Sequence, residues 1–185
     1  MQDNIFIEET KTWLEKVVIG LNLCPFASKP YLQNQIRFFV SYANNEIDIL
    51  KELEQELTFL AKTNKKQTET TLFILANYLK EFYQYNQFLN PAEALLEQLN
   101  LVGDIQIATF HPNYQFAGTE PSDAENLTNR SPYPILHLIR EESLEQALLK
   151  YHHPEKIPEN NIKKVKSLTK HHKSKLFPYL EEDKK

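Results

Sequence analysis

At 185 residues, 41% hydrophobic and 25% charged, the chain has the make-up of one ordinary globular domain with a real core and little room for two. A net charge of −4 and a pI near 5.9 argue against nucleic acid as its main partner. The only glycines, Gly20, Gly103 and Gly118, are too scattered for a Walker A loop or a G-x-G-x-x-G fingerprint, which excludes phosphate binding by a glycine-rich loop.

The opening stretch MQDNIFIEETKTW is acidic and polar, unlike a signal peptide. Phe6, Thr10, Trp13, Leu14, Val17 and Leu21 recur at helical spacing, with Gly20 as the natural stop. The most apolar run, VVIGLNL, is far too short to cross a bilayer, so no membrane partner is expected. In LNLCPFA, Pro25 can open a second short helix. IRFFVSY (36–42) reads as a buried strand. Leu50, Leu53, Leu57 and Leu60 then form an amphipathic helix with Asn45 as its cap and Asp48 in its first turn.

TTLFILA (70–76) is the second strand. Tyr78, Phe82, Tyr85 and Leu89 predict a helix that breaks at Asn90-Pro91, where a capping box opens another through Leu99. IQIATF and ILHLIR are the third and fourth strands, and a helix over 141–150 and another opened by Pro158 follow. Strands alternating with helices predict a single-domain α/β sandwich over residues 1–167, with a roughly four-stranded mixed sheet flanked by helices. The first three strands should run parallel, and the fourth, reached without a crossover helix, antiparallel. Residues 168–185 read as a polar Lys/His-rich tail that frays.

Between the last two strands lies a connection of polar and aromatic residues, 111–134, longer than the roughly 12–15 residues that compact domains usually allow without function or disorder. Tyr114, Phe116, Leu127 and Tyr133 would anchor it, its prolines stiffen it, and Ser122 with Glu125 predicts a helical turn inside. It should leave and rejoin the sheet at the C-terminal strand edge, where open α/β sheets bind ligands.

Within this loop His111 is suited to acid–base work, or equally to tying the loop to a neighbouring carbonyl. Arg130 offers a planar fork for an anion, or a salt bridge to Asp123 or Glu125. Asn126 and Asn129 can orient a substrate or close turns, and Tyr114 and Tyr133 can line its site. Asp123 is a possible base, though decoration of a helix N-terminus suits it better. His137, on one face with Ile135 and Ile139, reads as a satisfied core histidine.

Cys24 is the second candidate. A helix opened by Pro25 would lower its thiol pKa and favour a nucleophilic thiolate; the alternative is a small buried apolar residue. As the lone cysteine it excludes an internal disulfide framework and points to the cytoplasm, where the sequons at Asn126 and Asn129 would carry no meaning. The spacing of His111, Asp123, His137 and Cys24 matches no metal-ligand pattern, so neither metal nor cofactor is expected.

The stretches WLEKVVIGLNLCPFA, FHPNYQFAGTEPSDAENLTNRSPYPILHLIREESLEQAL and TTLFIL resemble a family of mainly bacterial proteins catalogued as domain of unknown function 1415. The likeness runs from about Thr12 to Ile162, and the tail beyond Ser167 departs from it. The resemblance implies that the Cys24 turn and the long loop form one site. Together these readings favour a small enzyme, a hydrolase or group transferase, acting on a polar or anionic small molecule. His111, Cys24 and Asp123 would carry the chemistry, and Arg130, Asn126, Asn129, Tyr114 and Tyr133 the binding. The alternative is a non-catalytic small-molecule binding domain.

Overall fold

The computed structural model describes residues 3–180. Strands β1 (Ile36–Ser41), β2 (Thr70–Leu75), β3 (Ile105–Phe110) and β4 (Ile135–Arg140) form one mixed sheet in the order β1-β2-β4-β3. β1 and β2 pair in parallel, and β4 runs antiparallel to both β2 and β3. The first three strands thus share a direction and the fourth returns against them, as expected of a connection with no crossover helix. β2 is buried along its whole length, which accounts for its unbroken apolar run.

Alternate residues of the sheet feed two separate cores. Phe73, Leu75, Leu136 and Leu138 face α3 (Glu46–Lys62) and α4 (Phe82–Gln98). In α3, Ile49, Leu53, Leu57 and Leu60 form a fully buried stripe, and the Asn45 side chain accepts the Asp48 amide at 3.0 Å as its cap. α4 does not break at Asn90-Pro91. Tyr85, Phe88, Ala92 and Leu96 make one buried stripe straight through Pro91, and packing on the sheet outweighs the backbone bond that the proline forgoes.

Leu72, Ile74 and Ile135 face the other way, onto a core assembled from distant pieces. These are α1 (Asp3–Trp13), the Leu23–Ala27 turn, Leu127 of the long loop, α6 (Ile157–Lys166) and the segment around Phe177. α1 runs into a π-helical turn, Leu14–Ile19, in which the Gly20 amide reaches back to the Glu15 carbonyl at 2.9 Å. Gly20 is therefore not a left-handed stop: its φ is −62°, and the left-handed residue is Asn22, with φ 56°. Glycine is needed because a Cβ would stand 2.4 Å from the Lys16 carbonyl oxygen. Nor does Pro25 open a helix. It lies in a turn closed by the Ala27 amide on the Cys24 carbonyl at 3.2 Å, and the short helix α2 is Ser28–Leu32.

The fraying expected beyond residue 167 does not hold through Leu180. Lys170–Leu176 forms helix α7, Thr169 caps it, and Phe177, Tyr179 and Leu180 pack into the second core. The last part of that predicted tail, 181–185, lies outside the described residues. α5 (Glu141–Leu149) follows β4 directly. Among the described residues no helix is long and apolar enough to cross a membrane.

Candidate functional site

The strands β1, β2 and β3 all end at the same edge of the sheet, where Asn77 just past β2 donates to the carbonyl of Tyr42 just past β1 at 3.1 Å. Over this edge, between the first turn of α4 and the long loop, lies a cavity of about 390 Å³. Phe82 and Asn86 line it from the helix and residues 114–118 from the loop. Its aromatic wall is continuous: the rings of Phe82 and Tyr114 are 5.2 Å apart, and those of Tyr114 and Phe116 5.0 Å. No charged side chain lines it.

The loop that builds this wall is ordered by its own polar groups. Asn126, fully buried, accepts the Phe116 amide at 3.0 Å and the Thr119 hydroxyl at 2.9 Å, while its amide donates to the Glu120 carbonyl at 2.8 Å. Asp123 accepts the Glu120 amide at 2.9 Å and stands at the N-cap of the 3-10 turn Ala124–Thr128, the helical turn expected there, begun one residue later than Ser122 would place it. Asn129 ties the loop to the last strand residues by donating to the Thr109 carbonyl at 3.1 Å. Each of these side chains, read from sequence as an orienting group or a base, bonds backbone within the loop or at the strand end beside it.

Arg130 is half-buried and clamps two loop carbonyls, Tyr114 at 3.2 Å through Nε and Pro121 at 2.7 Å. It pairs with neither Asp123 nor Glu125; Glu125 instead meets Lys166 of α6 at 3.1 Å. Burial lowers the guanidinium pKa. The Arg130 carbonyl is itself gripped twice, by the Trp13 indole at 2.9 Å and the Tyr179 hydroxyl at 3.1 Å, so both ends of the chain hold the loop. Tyr133 donates its hydroxyl to Glu9 and lies on that same side of the sheet.

His111 is fully buried behind the cavity, its ring packed on Phe82 and Tyr85. Nδ1 accepts the Asn113 amide at 2.9 Å, so the proton sits on Nε2, which donates to the Leu79 carbonyl at 3.1 Å. Burial, countered by the backbone of Leu79 and Lys80 and aided by the Arg130 charge, holds its pKa at about 4. Leu79 is a buried leucine in the left-handed region, with φ 57°, a conformation that costs about 1–3 kcal/mol and persists only where neighbours enforce it. The imidazole fastens the strained turn that aims Phe82 and Asn86 at the cavity. This contact is the tie to a neighbouring carbonyl that the sequence offered beside acid–base work.

Cys24 sits in the second core, away from the rings that enclose His111. Burial pushes its thiol pKa up, outweighing the amides of Phe26 and Ala27, which act to lower it. Without a helix N-terminus at Pro25 the expected thiolate has no source. His137 donates to the Thr70 hydroxyl at 2.7 Å, which in turn donates to the Leu138 carbonyl, and burial holds the imidazole pKa at about 4. Among the described residues no group of three His, Cys, Asp or Glu side chains could hold a metal ion.

Of the residues picked out from sequence, Tyr114 alone lines the cavity; His111, Asn126 and Arg130 stand directly behind its wall. Sequence reasoning passed over Phe82, Asn86 and Phe116 as site residues. The available signal was Phe82 with Asn86, one helical turn apart on the helix that leaves the ligand-binding edge after β2.

These features define an α/β domain whose ligand-sized cavity sits over the C-terminal edge of a mixed sheet, walled by an ordered loop. The chain belongs to the family described as protein of unknown function DUF1415, whose model it matches over residues 5–175. That match continues past Ser167 into α7, beyond the point where the sequence resemblance was expected to end. No curated protein and no solved structure matches the chain.

Proposed function

We propose that this domain binds a small molecule in the cavity between α4 and residues 114–118 and does not itself catalyse a reaction. The observation that carries the reading is the wiring of the loop. The side chains of His111, Asn126 and Arg130 are engaged in holding an uncharged aromatic wall over the sheet edge, and no charged side chain lines the cavity. The volume, about 390 Å³, falls in the range of roughly 300–1,000 Å³ typical of ligand sites. A neutral, doubly engaged imidazole and a thiol kept protonated by burial are poor catalysts at neutral pH. The lone cysteine suits a reducing compartment, and on that ground we place the domain in the cytosol.

The test is a thermal-shift screen of uncharged and charged metabolites on the full chain. A true ligand at about 100 times its Kd stabilises the fold by about 2.7 kcal/mol, and Tyr114→Ala abolishes that gain while leaving the unliganded protein folded. Stabilisation that survives in Tyr114→Ala and Asn86→Ala alike places the ligand elsewhere and defeats the reading. Turnover of the stabilising compound, lost in His111→Gln, restores the enzyme hypothesis.

A further inference from the structure

We infer that the ligand presents an uncharged planar aromatic ring with hydrogen-bonding groups on its edge, of the nucleobase or aromatic carboxamide type; this rests on the cavity being the binding site. The rings of Phe82, Tyr114 and Phe116 are tilted against one another by 54° and 65°, forming a corner of aromatic faces and edges. Such surfaces take a flat π-system far better than a branched aliphatic one.

The cavity also carries unpaired hydrogen-bonding groups of both kinds. The amide of Asn86 makes no hydrogen bond to any described residue. Gln115 donates its NH₂ to the Thr119 carbonyl, and its amide oxygen accepts no hydrogen bond from the described residues. Among the described residues, the backbone N–H groups of Gln115, Ala117 and Gly118 find no acceptor. Gly118, with φ 79°, leaves open space where a side chain would stand, so a ligand can approach bare backbone there. Donors and acceptors side by side fit a ring edge bearing both, as in a carboxamide or a nucleobase.

Charge is what the site lacks. The Arg130 guanidinium lies behind the wall with its donors on the Tyr114 and Pro121 carbonyls, so a carboxylate or phosphate in the cavity would meet no cation. No carboxylate lines the cavity to receive an ammonium group.

Four probes of similar size separate these features in ligand-observed NMR titrations: benzamide, benzoate, benzyltrimethylammonium and cyclohexanecarboxamide. Benzamide is expected to bind at least about tenfold more tightly than each of the other three, and Asn86→Ala, an exposed change, to weaken it by about tenfold. Tighter binding of benzoate or of the ammonium compound overturns the absence of charge recognition. Equal binding of cyclohexanecarboxamide overturns stacking. If none binds at millimolar concentration, the ligand class is wrong, and the thermal-shift screen on Tyr114→Ala decides separately whether the cavity is a binding site at all.

Discussion

Against one face of the sheet lie two helices of 17 residues each, α3 and α4; against the other lie short pieces gathered from both ends of the chain and from the long loop. On the first face each helix brings its own continuous apolar stripe, and the cover would be recognisable from either helix alone. On the second, the pieces are short, and polar contacts join them: Trp13 and Tyr179 on the Arg130 carbonyl, Asn161 on the Leu23 carbonyl, Lys166 on Glu125. Two cores of one sheet can thus be equally well buried and differ entirely in how far along the chain their parts are drawn.

The comparison breaks if the second cover is merely draped on the sheet. Phe177→Ala should cost about 3–5 kcal/mol in urea denaturation, in the same range as the 2–5 kcal/mol of Leu53→Ala on the first face. A loss below about 1 kcal/mol would show the C-terminal segment to be dispensable to the fold. Asn126→Ala should cost about 3 kcal/mol, because three loop groups lose a buried partner together. Amide exchange should then accelerate at Phe116 while β2 stays protected; an unchanged Phe116 amide would mean the loop does not depend on that side chain.

The smallest effect sharpens the contrast through pH. His111 and His137 have folded-state pKa values of about 4 against about 6.5 unfolded, so between those limits the unfolded chain takes up protons that the folded one refuses. Stability should therefore fall with pH, by about 2 kcal/mol per imidazole between pH 7 and pH 5. Denaturation at both values, repeated for His111→Gln and His137→Gln, checks this. A pH response left unchanged by both substitutions would refute the burial of the neutral rings.

How much was legible in the sequence follows the same division. The strands, the α3 stripe with its Asn45 cap, and the antiparallel return of β4 are written in local periodicity and in the length of a connection. Pro91 misled because its local rule lost to a buried stripe that only the sheet could reward. Gly20 and Pro25 misled because an extra residue in the π-helical turn moved the end of that helix, and spacing alone does not announce such a turn. The apparent tail concealed Phe177 and Tyr179, whose partners lie more than a hundred residues away or across the loop. In the loop, the apolar anchors and the prolines signalled order, but its polar residue types serve a substrate or a backbone carbonyl equally well. The partners that His111 and Asn126 take, Leu79, Thr119 and Glu120, are unremarkable in sequence.

The strand order carries a consequence for how the chain comes into being. β3 touches the sheet only through β4, which is made some thirty residues later, while β1 and β2 can pair as soon as both exist. On the ribosome, then, the third strand and the wall of the cavity must wait, both edges unmatched, until Arg140 has emerged. A pause in synthesis inside the loop would hold the half-made sheet open along β2, the strand that ends up buried along its whole length.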